Sequence, residues 1–221
     1  MSSSEAHAAT GPNAYLAHHF EDIGTQNYAV RLGMWLFLAT EVLLFAGLFL
    51  GYTVYRWMYP DTFQAAAKLL DLNMGTLNTV VLITSSFTVA WAYHAIKVNE
   101  IKKGIGLLVF TIICAFGFLF IKYGEYTHKF HVGLLPGKWY AFTGDGAPPG
   151  PANIFFAIYF LTTGLHALHV IIGMTVLVFV LVRTLKGRYH KDNYVGVELG
   201  ALYWHLVDLV WIFLFPLLYL I

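Results

Sequence analysis

The hydrophobic positions of this chain fall into five long runs separated by shorter polar stretches. A helix that crosses a membrane needs about 20 largely apolar residues, and each of these runs reaches that length. They cover approximately residues 28–55, 74–96, 104–122, 153–182 and 197–221. The pattern predicts an all-α fold, a polytopic bundle of five transmembrane helices that forms one domain over residues 28–221.

The stretches between the predicted helices are polar or rich in glycine and proline. The longest, GEYTHKFHVGLLPGKWYAFTGDGAPPGP, follows the third helix, and its prolines and glycines favour ordered turns over the membrane surface. Residues 1–27 have neither the apolar core of a secretory signal nor the Arg-rich pattern of a mitochondrial presequence. We therefore expect a cytoplasmic N-terminal arm at 1–27, mobile or lying on the surface, and insertion directed by the first helix.

The composition places most of the mass within the bilayer. Hydrophobic residues make up 58% of the chain, charged residues 11%, and the mean hydropathy is +0.65, whereas soluble domains contain roughly 25% charged residues. The net charge is +1 and the basic residues are scattered among loops, which argues against binding to nucleic acid. Cys114 is the only cysteine, so a disulfide framework and a thiolate metal cluster are both excluded.

Lysine and arginine are unevenly divided between the two sides of the predicted bundle. The side of the N-terminus carries eight, namely Arg31, Lys97, Lys102, Lys103, Arg183, Lys186, Arg188 and Lys191. The opposite side carries five, namely Arg56, Lys68, Lys122, Lys129 and Lys138. By the positive-inside rule, the N-terminus is cytoplasmic and the C-terminus lies outside. We expect the membrane to be a bacterial cytoplasmic membrane.

Glu41 lies in the middle of the first predicted helix, within WLFLATEVLLFAGLFLG. Its neighbours on the same helical face are apolar and offer no cation. Because desolvation without a counter-charge favours the neutral acid, we predict that Glu41 is mostly protonated and donates a hydrogen bond. Two roles remain open, a structural bond to a neighbouring helix and a direct part in the movement of protons or substrate.

Polar residues also form stripes on the later helices. In the fourth helix, the spacing of Thr162, His166 and His169 places these side chains in one angular sector. The fifth helix carries a similar stripe, and facing stripes would satisfy each other if an acid accepted from an imidazole. The resulting prediction is an interhelical polar network of Asn78, His94, His166, His169, Glu198, His205 and Asp208.

A metal or haem site is the alternative for these histidines. Two imidazoles three residues apart could serve a metal, but a haem held by two histidines needs ligands from separate facing helices. The fifth helix offers only His205, and the second offers only His94 near its end. We therefore expect no bound redox centre. His128 and His131 in the outer loop lack an obvious third ligand.

Several strings of the sequence resemble subunit III of the haem–copper cytochrome c oxidases in order and separation. They are GMWLFLATEVLLFAGLF, LNTVVLITSSFTVAWAYHA, GEY, LTTGLHALHVIIGMTVL and GVELGALYWHLVDLVWIFLFPLLYL. They span nearly everything from Arg31 to Ile221, and their joint occurrence is highly specific.

The resemblance implies an integral membrane subunit that binds neither haem nor copper and packs against the catalytic subunit I. It implies a complex that also contains subunit II and small accessory subunits, and a role in sustaining proton entry, protecting the active site and holding phospholipid. Glu41 matches the family's membrane-embedded carboxylate. Arg31 and Arg183 match positions near lipid headgroups, where a guanidinium suits a phosphate, although both could simply be positive-inside anchors.

Two features depart from the family pattern. Longer members have two additional N-terminal helices that form one wall of a lipid-filled cleft, and we expect the residues before the first helix here to be too few to build them. Lys122 occupies a position that is uncharged and polar elsewhere, and at the outer end of the third helix we expect it to snorkel to the surface.

These features lead to one principal interpretation and two alternatives. The chain is interpreted as a noncatalytic subunit of a terminal oxidase that reduces oxygen and pumps protons. The same scaffold would serve subunit III of a quinol oxidase, and the sequence does not separate the two electron donors. The alternative of a different class is a freestanding proton or solute channel built around Glu41 and the histidines.

Overall fold

The structure is a computed structural model that describes residues 16–18, 20–144 and 147–220. It contains six α-helices, α1 (Ile23–Met58), α2 (Pro60–Ala67), α3 (Leu72–Lys97), α4 (Ile101–Val132), α5 (Ala152–Leu185) and α6 (Val195–Tyr219). All except α2 are long and apolar enough to cross a membrane. The predicted all-α bundle of five membrane-spanning helices is confirmed.

The first part of the chain differs from the prediction at both ends of its helix. Helix α1 already begins at Ile23, because the Asp22 side chain caps it by accepting a hydrogen bond of 2.8 Å from the Thr25 backbone N–H. It ends at Met58, and the predicted loop that follows contains the short helix α2, which starts on Pro60. The predicted arm at 1–27 thus ends before Ile23, and most of it (1–15 and 19) lies outside the described residues.

Helix α4 corrects the prediction most strongly. It continues to Val132, well past the predicted end at Lys122, because the polar residues of its last turns form hydrogen bonds along the helix. Gly133 then ends the helix in the left-handed conformation, with φ of 82°. The segment GEYTHKFHV, predicted as part of the outer loop, is therefore entirely helical.

Helices α3, α4, α5 and α6 pack into a four-helix bundle, and α1 lies on its outside against α5 and α6. Large aromatic side chains fill the bundle, including the fully buried Trp204, Trp211 and Tyr159. In its most apolar 18-residue window, α1 buries only 11% of its residues, compared with 50% for α6. Helix α1 therefore makes few contacts with the bundle, and polar contacts provide a large share of its attachment.

Helices α5 and α6 approach each other closely at Gly173. A Cβ atom at this position would lie 2.9 Å from the ring of Trp204. The Trp204 indole is completely buried, and its Nε1–H donates to the Ser85 hydroxyl of α3 at 3.0 Å. The absence of a side chain at Gly173 therefore allows one indole to join three helices.

Candidate functional site

Glu41 of α1 is hydrogen-bonded to His169 of α5, and both residues lie near the middle of their helices. Glu41 Oε2 lies 2.8 Å from His169 Nε2, and the two side chains are 16% and 9% exposed. The His169 ring also packs edge-on against the ring of the buried Phe45, with 5.2 Å between ring centres. The partner of Glu41 is thus supplied by another helix.

The hydrogen bonds of His169 restrict the proton arrangement of this pair. Its Nδ1 lies 2.8 Å from the Leu165 carbonyl oxygen, and a carbonyl only accepts, so Nδ1 carries a hydrogen. A neutral imidazole then has an acceptor at Nε2, which requires Glu41 to be the protonated donor. The other arrangement is an imidazolium paired with a carboxylate. In both arrangements the pair is neutral as a whole, which makes it tolerable at membrane depth.

Two further polar contacts attach α1 to α6. The Arg31 guanidinium binds both oxygens of the Glu198 carboxylate, at 3.0 Å from Nε and 2.8 Å from a terminal nitrogen. At the opposite end, the Tyr52 hydroxyl donates to the Leu217 carbonyl. Together with the bond between Glu41 and His169, these contacts attach α1 to the bundle at three positions along its length.

The seam between α3 and α6 contains three hydrogen bonds between side chains. Ser86 Oγ lies 2.7 Å from His205 Nδ1, Ser85 accepts from Trp204, and Trp211 Nε1 donates to the Thr79 hydroxyl at 3.0 Å. The hydroxyl residues of α3 therefore bond across the interface.

The predicted network between facing stripes of α5 and α6 is wrong in its pairing. His169 binds α1, Glu198 binds α1 and His205 binds α3. The side chains of Asn78 and His166 are buried without a hydrogen-bond partner within 16–18, 20–144 and 147–220. Asp208 is buried beside Ser85 and Ser86 of α3 and not beside a histidine of α5, and His94 is exposed.

The geometry of α5 explains why its stripe divides. The His166 ring lies between the rings of Phe118 and Trp211, with centres 5.4 and 5.2 Å away, and so faces the interior of the four-helix bundle. His169, three residues later, faces α1. One angular sector of a helix can contact two different neighbours, and the sequence pattern does not separate them.

A second polar site, which we call the Lys122 cluster, lies where α4, α5 and α6 meet. It consists of Lys122, Glu125, Lys129, Tyr159 and Tyr219. The side chains of its three charged residues are at most 5% exposed. The expectation that Lys122 snorkels to the surface is wrong, because α4 extends beyond it and the aromatic residues of α5 and α6 cover it.

The Glu125 carboxylate is the centre of the Lys122 cluster. Its Oε1 accepts from Lys129 at 2.6 Å and from the hydroxyls of Tyr219 and Tyr159 at 2.7 and 2.8 Å. Its Oε2 accepts from Lys122 at 2.8 Å, and Lys122 also donates to Tyr219 at 2.7 Å. Burial of an ion pair is tolerable only with such additional hydrogen bonds.

The sequence contains a signal for this cluster that the hydropathy pattern concealed. Lys122, Glu125 and Lys129 are spaced three and four residues apart, which places them on one helical face with opposite charges adjacent. The aromatic partners come from α5 and α6, and no local pattern indicates them.

The predicted lipid-facing arginines have different environments. Arg31 is paired with Glu198 and is 40% exposed. The Arg183 guanidinium lies over the Phe179 ring at 4.2 Å, and no ion pair to it is present in the described part of the chain. Among the described residues, no group of three or more His, Cys, Asp or Glu side chains is arranged to hold a metal ion.

Comparison with known proteins gives a consistent result. The family model described as Cytochrome c oxidase subunit III matches residues 13–144 and 149–221. Cytochrome c oxidase subunit 3 of Tetraodon nigroviridis is 34% identical over 199 residues, which are 86% of this chain and 69% of that protein. The proteins of the same name from Oncorhynchus mykiss and Loxodonta africana are 35% identical over 199 residues and 33% identical over 200 residues, with the same coverage.

The two matched ranges contain all five membrane-spanning helices. They also contain Glu41 and His169, and every member of the Lys122 cluster. The chain therefore belongs to the cytochrome c oxidase subunit III family.

Proposed function

We propose that this chain is a noncatalytic, integral membrane subunit of a respiratory haem–copper oxidase that couples oxygen reduction to proton pumping. The observation that carries the proposal is the family match over residues 13–144 and 149–221. The contribution of the chain is mechanical and environmental. It forms a helical wall that stabilises subunit I, screens it from solvent and supports proton uptake.

The polar contacts within the membrane support a structural role. Glu41 is engaged by His169, His205 by Ser86, and the Lys122 cluster is saturated with internal hydrogen bonds. Such pairs lock helices together at depths where water does not compete. In this proposal, haem and copper are bound by partner subunits and not by this chain.

The chain also binds phospholipid in this proposal. The Arg183 guanidinium lies at the end of α5, where a phosphate headgroup would be its natural partner. Arg31 is a weaker candidate because Glu198 already occupies its guanidinium.

The arrangement in the membrane follows from the charge bias. The N-terminus lies in the cytoplasm and the C-terminus outside, with subunit I as the main contact and subunit II and small accessory subunits nearby. The relatives named above are vertebrate proteins, so they lend no support to a bacterial source, and the bacterial cytoplasmic membrane rests on the sequence alone.

Purification of the tagged chain in mild detergent tests the proposal. We expect haem absorbance and a larger partner chain to co-purify with it, and both to be lost when the chain is isolated under dissociating conditions. Oxygen consumption driven by reduced cytochrome c, compared with a reduced quinol, identifies the electron donor. Stoichiometric haem in the isolated 24.9 kDa chain contradicts a noncatalytic role, and proton or solute flux through that chain in liposomes supports a channel.

A further inference from the structure

His205 lies in the wall of an apolar groove between α1 and α6 that none of the contacts above explains. The groove has a volume of about 600 Å³ and is lined by apolar side chains of both helices, among them Trp35, Leu43 and Leu206, and by His205. His205 is the only one of these side chains that carries an ionisable group. Several of the others are largely exposed, including Leu43 at 72% and Trp35 at 60%.

The imidazole of His205 is only half satisfied. Its Nδ1 is bonded to the Ser86 hydroxyl at 2.7 Å, and its Nε2 has no hydrogen-bond partner within the described part of the chain. If Ser86 donates to Nδ1, then Nε2 carries a hydrogen that needs an acceptor. If Ser86 accepts from Nδ1, then Nε2 is an acceptor that needs a donor. In either tautomer, Nε2 still needs one hydrogen-bond partner, and this partner must come from the side of the groove.

The depth of His205 makes this requirement costly. It is the eleventh residue of the 25-residue helix α6, which places it about 15 Å along a helix that crosses about 30 Å of hydrocarbon. Water does not reach this depth on a lipid-facing surface, and an acyl chain offers neither donor nor acceptor. The occupant of the groove must therefore combine an apolar surface with one polar group at the level of His205.

We propose that this groove is the docking site of a transmembrane helix of a neighbouring subunit, which presents a hydroxyl, amide or carboxyl side chain to His205 Nε2. The proposal rests on the membership of this chain in a multisubunit complex. A protein helix provides both, since its apolar side chains fill the groove and one polar side chain forms the missing hydrogen bond with His205 Nε2. A lipid tail meets only the first.

Site-specific photo-crosslinking in native membranes distinguishes these occupants. A photoreactive phenylalanine analogue replaces Leu43 in the groove, and the matched control replaces Phe120 on α4, which is 78% exposed and lies outside the groove. We expect a polypeptide adduct at position 43, visible as a discrete shift of tens of kilodaltons, and at most lipid adducts at position 120. A phospholipid adduct at position 43, or no adduct, overturns the proposal.

A substitution of His205 tests the polar contact. His205→Leu should weaken retention of the partner by about tenfold in a detergent titration of the purified complex, because the partner's polar group is left unpaired in an apolar site. His205→Gln, which keeps a donor and an acceptor, should recover most of this loss, and His94→Leu, at an exposed histidine, should behave like the wild type.

The results separate this inference from the proposed function. Co-purification of haem with the wild-type chain, together with unchanged retention in His205→Leu, leaves the oxidase proposal standing and contradicts the docking site. A wild-type chain without haem contradicts the oxidase proposal, while the crosslink at position 43 still reports the occupant of the groove.

Discussion

Glu41 on α1 and His169 on α5 are 128 positions apart in the sequence and share a hydrogen bond of 2.8 Å within the membrane. The bond crosses from the weakly packed outer helix to the four-helix bundle. An acid in an apolar helix is thus accompanied by a base from another helix, and the two together are neutral. Such a pair can hold α1 in place without burying net charge.

Glu41→Gln is expected to leave assembly and oxygen consumption of the complex nearly unchanged, because the amide can still donate to His169. Glu41→Leu leaves His169 Nε2 unpaired and should destabilise the chain by about 1–3 kcal/mol. Thermal denaturation in detergent measures the difference between the two variants. Strong loss of proton pumping in a fully assembled Glu41→Gln complex would instead assign this carboxyl a role in proton transfer.

Glu125→Gln is expected to be the most damaging single substitution in the Lys122 cluster. It removes the negative charge between two buried ammonium groups and should cost about 3–5 kcal/mol of stability. The matched control is Glu100→Gln, which breaks an ion pair of 3.0 Å with Lys103 whose side chains are 53% and 49% exposed. This control should change stability by less than about 1 kcal/mol. Equal shifts of the thermal midpoint in the two variants would refute a structural role for the cluster.

Gly173→Ala is expected to separate α5 from α6, because its Cβ would lie 2.9 Å from the Trp204 ring. The indole is buried and bonded to Ser85, so it cannot move aside, and the cost should be about 1–3 kcal/mol. Gly117→Ala is the control, since apart from the adjacent residues and backbone of its own helix nothing lies within 4 Å of its added Cβ, and it should be neutral or stabilising. Thermal denaturation of the two variants, monitored by tryptophan fluorescence, provides the comparison.

Arg183→Gln is expected to reduce the amount of anionic phospholipid that remains bound to the purified complex, as counted by native mass spectrometry. Arg31→Gln should reduce it less, because the Arg31 guanidinium is already paired with Glu198. Indistinguishable lipid counts in the two variants and the wild type would show that both arginines act only as anchors.

The amino-acid sequence by itself determined the class of fold, the number of membrane-spanning helices and the family. These properties depend on hydropathy over about 20 residues and on local strings, which do not require knowledge of contacts. It also singled out Glu41, His169, Glu198 and His205 as polar residues at membrane depth, since an ionisable side chain in an apolar run is conspicuous without a structure.

The tertiary structure alone decided which of these residues meet. His169 turned to α1 and His205 to α3, and His166 was enclosed by Phe118 and Trp211, because neighbours are set by helix packing and not by the angular sector on one helix. It also moved the end of α4 to Val132. A helix predicted from hydropathy ends at the first charged residue, which here is Lys122. This residue is nevertheless buried, because Tyr159 and Tyr219, which are distant in sequence, cover its side chain.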